Sequence, residues 1–513
     1  MFGSFRLFHS KGETIRVSVL TLALCAAAAI AEPASEPAAD APAPSETGQA
    51  GAAAYAQSCA RCHGATGVGD GLDSKRFYPR PRNLALGVYK FRSTASGTPP
   101  TDADLFRTIT QGLPGTNMPD WQHLSEETRW QLVSYLKSLS PGFEQTKPVP
   151  LAVAADPGAA HVQLKDGRAL YEKLGCAACH GRAGRANGTS AAGLVDDWGM
   201  PIRPADLTQG WNYRGGSDPR SVMLRVLAGI DGAGMPSYAE AITPQEAWPL
   251  AYYVASLQRP AHWNMIAHPL RVRGVLPTAL NDPRWAQAGR TDVRLRNVVT
   301  TEGEWASPPT VTAVSVEAID NGEATAFRFS WNDPTQDPPA TQNEAARAGR
   351  TPSDAFALLL KPSGSQGDVV TLQAWPYAGL PAAAGAAQAG APSLDSARDG
   401  VLSQVERTPA LDLCRWSADT GQVSEAIATS FESPVAPQTR PALTSVSGYA
   451  DGQWRLVLRR PRHPADPVGA ATIAGDGYTA IAFAVWDGGN SKARAVSPWV
   501  EIALREDAGR DRQ

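Results

Sequence analysis

Five residues, Cys59-Ala60-Arg61-Cys62-His63, return later in the chain as Cys176-Ala177-Ala178-Cys179-His180. A Cys-x-x-Cys pair followed directly by an imidazole is the covalent attachment pattern of haem c. The thiols add across the two vinyl groups, and the adjacent histidine is placed to bind iron from one side. Each copy is followed, 59 residues after its first cysteine, by a methionine. These are Met118 in Thr116-Asn117-Met118-Pro119 and Met235 in Ala233-Gly234-Met235-Pro236. A lone methionine is more often core filler than ligand. Equal spacing, a flanking proline and a preceding pentad make both of these expected ligands.

The expected cofactor-binding residues are therefore Cys59, Cys62, His63 and Met118, then Cys176, Cys179, His180 and Met235. His63/Met118 and His180/Met235 are the expected axial pairs of two covalently bound haem c groups, and no catalytic residue is expected. Such an iron is closed on both faces, and the soft, neutral thioether raises its potential relative to bis-His ligation. It shuttles one electron and does little else. His123 lies near Met118, but the second copy has no equivalent, which favours the methionine. Leu105, Phe106 and Leu124, with Leu224, Leu227 and Tyr238, are candidates for the apolar wall of each site. Arg82, Arg92, Arg203 and Arg214 are candidates to pair with haem propionates or, equally, solvated surface charges.

The other cysteines agree with a cofactor role. Of six, four belong to the pentads, and Cys25 and Cys414 stand apart, so no disulfide framework is available. A net charge of −3 and the lack of any Lys/Arg stripe give no case for nucleic acid. Arg6, Lys11 and Arg16 precede an apolar run from Val17 to Ile30 and a small-residue site, Ala29-Ile30-Ala31. This predicts a cleaved signal peptide over 1–31, the run being shorter than the ~20 residues of a membrane span. Covalent haem attachment takes place outside the bacterial cytoplasm, so leader and pentads agree on a soluble periplasmic protein with no transmembrane segment in the mature chain.

Residues 32–50 are Ala, Pro, Ser and acid without apolar period, which predicts a disordered tether. Residues 51–140 and 166–258 read as two copies of one small α-helical fold, joined by a linker over 141–165. In the first, Tyr55 precedes the pentad, a Gly-rich loop follows, and Ser125 caps a closing helix bearing Trp130, Val133, Leu136 and Leu139 on or near one face. In the second, Tyr171 precedes the pentad, and Thr243-Pro244-Gln245-Glu246 reads as a capping box opening the last helix. Beyond about residue 266 the pattern turns to short alternating strands. Thr310 to Asp320 and Glu323 to Trp331 flank Asn321-Gly322, a hairpin expected on a type I′ turn. Val369 to Trp375, Trp454 to Arg459 and Tyr478 to Trp486 are further expected strands, and Gly379 to Pro392 a surface insertion. The expected fold class is multidomain, two small all-α folds followed by an all-β sandwich over 266–508.

Two resemblances follow from these motifs. Residues 51–258 resemble tandem class I cytochrome c domains. Leu280-Asn281-Asp282-Pro283-Arg284-Trp285, Phe327 to Thr335, Ser353 to Leu358 and Phe483 to Gly488 resemble the γ-subunit domain of ethylbenzene dehydrogenase and dimethylsulfide dehydrogenase. That resemblance implies a haem b held between a methionine and a lysine, relaying electrons for a molybdenum enzyme of the dimethyl sulfoxide reductase class. Two positions depart from it. Gln366-Gly367-Asp368 stands where the family has Met-Gly-Asp, and Arg494 stands where it has lysine, with Lys492 nearby. Arginine has no lone pair to give iron, so the third haem lacks both family ligands.

The expected function is a periplasmic dihaem c-type electron-transfer protein. Its expected partners are molybdenum/iron–sulfur oxidoreductase subunits or other redox proteins. The alternatives are a dihaem peroxidase-like enzyme, which needs one open iron position, and a haem-based redox-sensing or binding module.

Overall fold

The computed structural model describes residues 46–299, 310–337, 353–361, 411–428, 434–438, 443–464, 471–473, 477–489 and 493–504. The predicted leader, the tether up to residue 45, the Val369–Trp375 strand, the Gly379–Pro392 insertion, Gln366 and Lys492 lie outside them, as does the side chain of Arg494.

Two helical units are built alike. In the first, helix Glu46–Ser58 packs on the closing helix Glu126–Ser138. It starts inside the expected tether, and it continues into a close helix crossing. A Cβ on Gly51 would meet Gln131 O at 2.4 Å, so only glycine lets the backbones touch. The second unit repeats the device: Gly167 of helix Leu164–Lys173 lies against Pro249 of helix Ala247–Ser256, where a Cβ would meet Pro249 O at 2.0 Å. Ser125 caps the first closing helix as expected, accepting from Thr128 N at 3.1 Å. Its buried face is Leu132, Val133 and Leu136, while Trp130 is 41% exposed and stacks on Phe106 at 4.1 Å.

In the second unit Thr243 and Glu246 exchange both capping-box bonds, at 2.8 Å and 3.2 Å. Regular helix nevertheless begins only at Ala247, because Trp248 N turns tightly back to Gln245 O and Pro249 has no N–H to donate.

The expected linker is a packed strap. Phe143 packs on the first core, and Leu151, Val153 and Ala154 pack on the second. Trp248 Nε1 donates to Ala154 O at 3.2 Å, and Leu151 N donates to Ser93 O at 3.0 Å. Its apolar residues answer both neighbours, so it joins the units along their length.

The C-terminal region is β-rich. Two sheets share one apolar core: strands Ala313–Asp320, Ala324–Asn332 and Gln453–Pro461 in one, and Ala355–Leu360, Leu411–Ser417 and Gly477–Trp486 in the other. Phe327, Phe329 and Trp331 share the inward face, as their alternation predicts. Phe329 meets Phe356 of the opposite sheet at 4.5 Å between ring centroids. Ala355–Leu360 is buried along its whole length, and on its other face Ala357 and Leu359 form a second apolar cluster with Leu411, Leu413, Ala482 and Ala484 of the neighbouring strands.

The expected hairpin forms, pairing Asp320 with Thr325, but its turn is not type I′. That turn needs positive φ at both central residues, and only Gly322 has it, at 93°. Asn321 instead uses its side chain, Oδ1 accepting from Glu323 N at 3.1 Å and Ala324 N at 2.9 Å. That Asx-type capping fixes the loop without a left-handed asparagine.

Candidate haem-binding sites

Each pentad folds as a single helical turn, Ala60–His63 and Cys176–His180. One turn puts residues three apart on one face, so each cysteine pair faces the same way. The four thiols are half-buried and free of disulfides. Burial pushes Cys59 and Cys176 up to about 11, which favours the thiol form of both.

Both histidines are held by backbone carbonyls. His63 Nδ1 lies 3.0 Å from Arg82 O, and His180 Nδ1 lies 2.9 Å from Ala205 O. A carbonyl only accepts, so Nδ1 carries the proton and Nε2 keeps its lone pair for a metal. Burial also lowers both histidines below their usual pKa, which keeps the rings neutral. Sequence reasoning missed these two partners, because a backbone acceptor has no residue signature.

The turn after each histidine is locked identically. Tyr55 OH donates to Gly64 O at 2.8 Å, and Tyr171 OH donates to Gly181 O at 2.7 Å. Gly64 and Gly181 have φ of 80° and 78°, and a Cβ there would strike Asp70 Oδ1 or Asn187 Oδ1 within 2.0 Å. The Gly-rich loops thus close on their own polar side chains and on the pentad backbone. Tyr55→Phe leaves the buried Gly64 carbonyl without its donor; we expect a loss of ~1–2 kcal/mol, read from thermal unfolding of the first unit against the wild type.

The methionine loops also match. Leu113 N donates to Met118 O and Ile230 N to Met235 O, both at 3.0 Å. Trp121 N is anchored on Ile109 O at 3.1 Å and Tyr238 N on Val226 O at 3.0 Å. Met118 and Met235 are half-buried. Met235 packs with Cys176 and Tyr238 on one core, and Trp121, Phe106 and Leu124 pack with Cys59 on the other. Leu105, Leu224 and Leu227 are buried in these cores, as expected of the wall. His123 is exposed.

Several buried polar atoms in the two units lack partners. Arg82 Nη2, Tyr89 OH and Trp121 Nε1 in the first unit, and Trp211 Nε1 in the second, make no hydrogen bond. Burial pushes Arg82 down to about 10 and lowers Arg214, for which no ion pair is found among the described residues. A buried donor left unmade is expensive, and three of these are N–H donors suited to carboxylate acceptors. The residues fit a group that brings apolar bulk and anionic tails, as haem does.

Arg92 does something else. It is 0% exposed, bonded to Ala228 O at 3.0 Å and ion-paired with Asp231 at 2.8 Å, and so clamps one helical unit to the other. The expectation that it pairs with a propionate or stays solvated is corrected: the second unit supplies the counter-charge. Arg225 returns the contact through Lys90 O at 3.1 Å and through Arg92 O. Arg82 lies 4.0 Å over the Trp198 ring, and that indole rests on Gly232, just before Met235.

Residues 46–136 and 162–254 both match the family model of the cytochrome c oxidase, cbb3-type, subunit III. The helical region is built of cytochrome c domains. Over 216 residues the chain is 28% identical to the cbb3-type cytochrome c oxidase subunit CcoP of Azospirillum sp. (strain B510), a match covering 40% of this chain. The chain spans 60% of the length of that curated relative. Among solved structures, it is similar to a chain of the Kuenenia stuttgartiensis reducing HAO-like protein complex. That match has 44% identity, covers 41% of this chain and 96% of the other, and has a TM-score of 0.40. A carbohydrate binding module family 9 from Caldicellulosiruptor kristjanssonii in complex with glucose matches at 7% identity. It covers 48% of this chain and 99% of that one, with a TM-score of 0.28.

Cytochrome c domains hold haem c covalently and serve electron transfer. No helix among the described residues is long and apolar enough to cross a membrane.

Proposed function

We propose that the chain is a periplasmic dihaem electron carrier, with His63/Met118 and His180/Met235 as axial pairs, docked through a β-sandwich to a molybdenum/iron–sulfur oxidoreductase. When bound, each haem c supplies one reversible one-electron iron couple. The chain's own part is to hold that couple closed and dry. His63 and His180, fixed through Nδ1, would offer Nε2 to the iron, and Met118 and Met235 would offer their thioethers. Arg82, Tyr89 and Trp121, with Trp211 and Arg214 in the second unit, are the groups that would hold the propionates.

The observation that carries the reading is the doubled cradle joined by its own residues. Arg82, whose carbonyl holds His63, stacks on Trp198, which rests beside the Met235 loop. The Arg92–Asp231 clamp holds the same two units together. Such a junction favours electron exchange between two sites over two independent ones. The resemblance of 266–508 to the ethylbenzene dehydrogenase γ-subunit supports the choice of partner, and the changed ligand positions favour docking over a third haem there.

A spectroelectrochemical titration with carbon monoxide added to the reduced protein tests this reading. We expect one-electron waves and no carbon monoxide adduct. Rapid adduct formation would mean an open iron and would favour the peroxidase-like enzyme. Pull-down of the full chain from periplasm is expected to bring a molybdenum-containing subunit with it; recovery without molybdenum would remove that partner.

A further inference from the structure

Three carboxylates that no haem chemistry uses meet at one end of the two-sheet region. Asp333 follows strand Ala324–Asn332, Asp354 precedes Ala355–Leu360, and Asp487 follows Gly477–Trp486. Each offers an oxygen, and these atoms all lie within 4.8 Å of one another. All three residues are buried, Asp333 and Asp354 completely. Asp337 stands beside them, its Oδ2 accepting from Gly489 N at 2.8 Å. No lysine or arginine makes a salt bridge to any of the four among the described residues.

Two of the three are partly satisfied. Asp354 accepts from Gly488 N, Asp337 N and Trp454 Nε1 at 2.8–3.0 Å. Asp487 accepts from Thr310 Oγ1 and from Gly489 N. Asp333 is not: Thr335 N reaches its Oδ1 at 3.2 Å, but its Oδ2 is buried with no partner. A fully buried carboxylate oxygen with no donor, facing two more carboxylates, is unfavourable unless a cation or a proton neutralises it. Burial, then Asp487 and Asp354, raise Asp333 well above the usual carboxylate range, which records the same unmet charge.

We propose that Asp333, Asp354 and Asp487 bind one hard divalent cation, Ca2+. The donor set is all oxygen, as Ca2+ prefers, and a spacing up to 4.8 Å is bridged by two Ca–O distances of about 2.4 Å. The site would fasten the two sheets to each other. Asp354 and Asp487 adjoin paired strands, Ala355 opposite Trp486, while Asp333 comes from the facing sheet. It would also steady the second cytochrome unit, because Asn332 Nδ2 donates to Asp206 Oδ2 at 2.6 Å, and Asp206 adjoins the Ala205 carbonyl that holds His180.

The test uses the full haem-loaded chain, stripped with chelator and then titrated with Ca2+. Equilibrium dialysis is expected to find one Ca2+ per chain at this site, and saturating Ca2+ to raise the unfolding temperature by about 5 °C. Asp333→Asn, which keeps the shape and the Thr335 contact, is expected to abolish both while unfolding in chelator no earlier than the wild type. Absence of Ca2+ uptake by the wild type, or equal uptake and equal thermal shift in Asp333→Asn, would overturn the proposal. If that variant folds poorly, Asp487→Asn serves as the second variant, with the same loss of uptake expected and equal uptake again overturning the proposal.

Discussion

Met118→His is expected to lower the potential of the haem held by His63 by a few tenths of the ~0.8 V span that axial ligation covers, while leaving the iron low-spin. The thioether stabilises the ferrous state because it is soft and neutral; a second imidazole is a stronger σ-donor and favours ferric iron. The loop can present the new side chain, since Leu113 N→Met118 O and Trp121 N→Ile109 O fix its backbone independently of residue 118. The haem held by His180 serves as an internal reference, and its wave should move little. Spectroelectrochemistry reads both potentials together. An unmoved first wave would mean that Met118 is not the ligand.

Arg92→Ala is expected to destabilise the junction of the helical units by roughly 3 kcal/mol. The guanidinium is fully buried and bonds Ala228 O as well as Asp231. Its loss strands Asp231, a side chain 18% exposed, although Ser96 Oγ and Gly97 N still donate to it at 2.8 Å and 2.9 Å. Those two bonds keep the penalty below that of a wholly orphaned charge. Calorimetry should show a lower transition in the helical region, and limited proteolysis should cut the 141–165 strap faster. Unchanged unfolding would mean that the Arg92–Asp231 pair contributes nothing to the junction, which the other contacts and the strap would then hold.

Much of the candidate site was legible because covalent and coordination chemistry dictate residue type. Only cysteines bind vinyl carbons in this way and only a few side chains ligate iron, so pentads, histidines and spaced methionines stand out. The alternation of Phe327, Phe329 and Trp331 was equally plain, since a strand has period two. Non-local and backbone contacts were hidden. Arg92 reads as a surface charge until Asp231, far along the chain, comes beside it. The carbonyls of Arg82 and Ala205 leave no mark on composition. The strap looked like a linker because its few apolar residues, Phe143, Leu151 and Val153, serve two different cores. The turn at Asn321-Gly322 was misjudged because an asparagine side chain can cap a loop that the dipeptide alone would assign to type I′.

The central claim, that both pentads carry haem, is tested most directly by mass spectrometry of the denatured chain purified from haem-competent cells. Two covalently attached haems per chain are predicted, falling to one in a Cys176→Ala/Cys179→Ala double variant. A mature wild-type chain carrying one haem or none would contradict it.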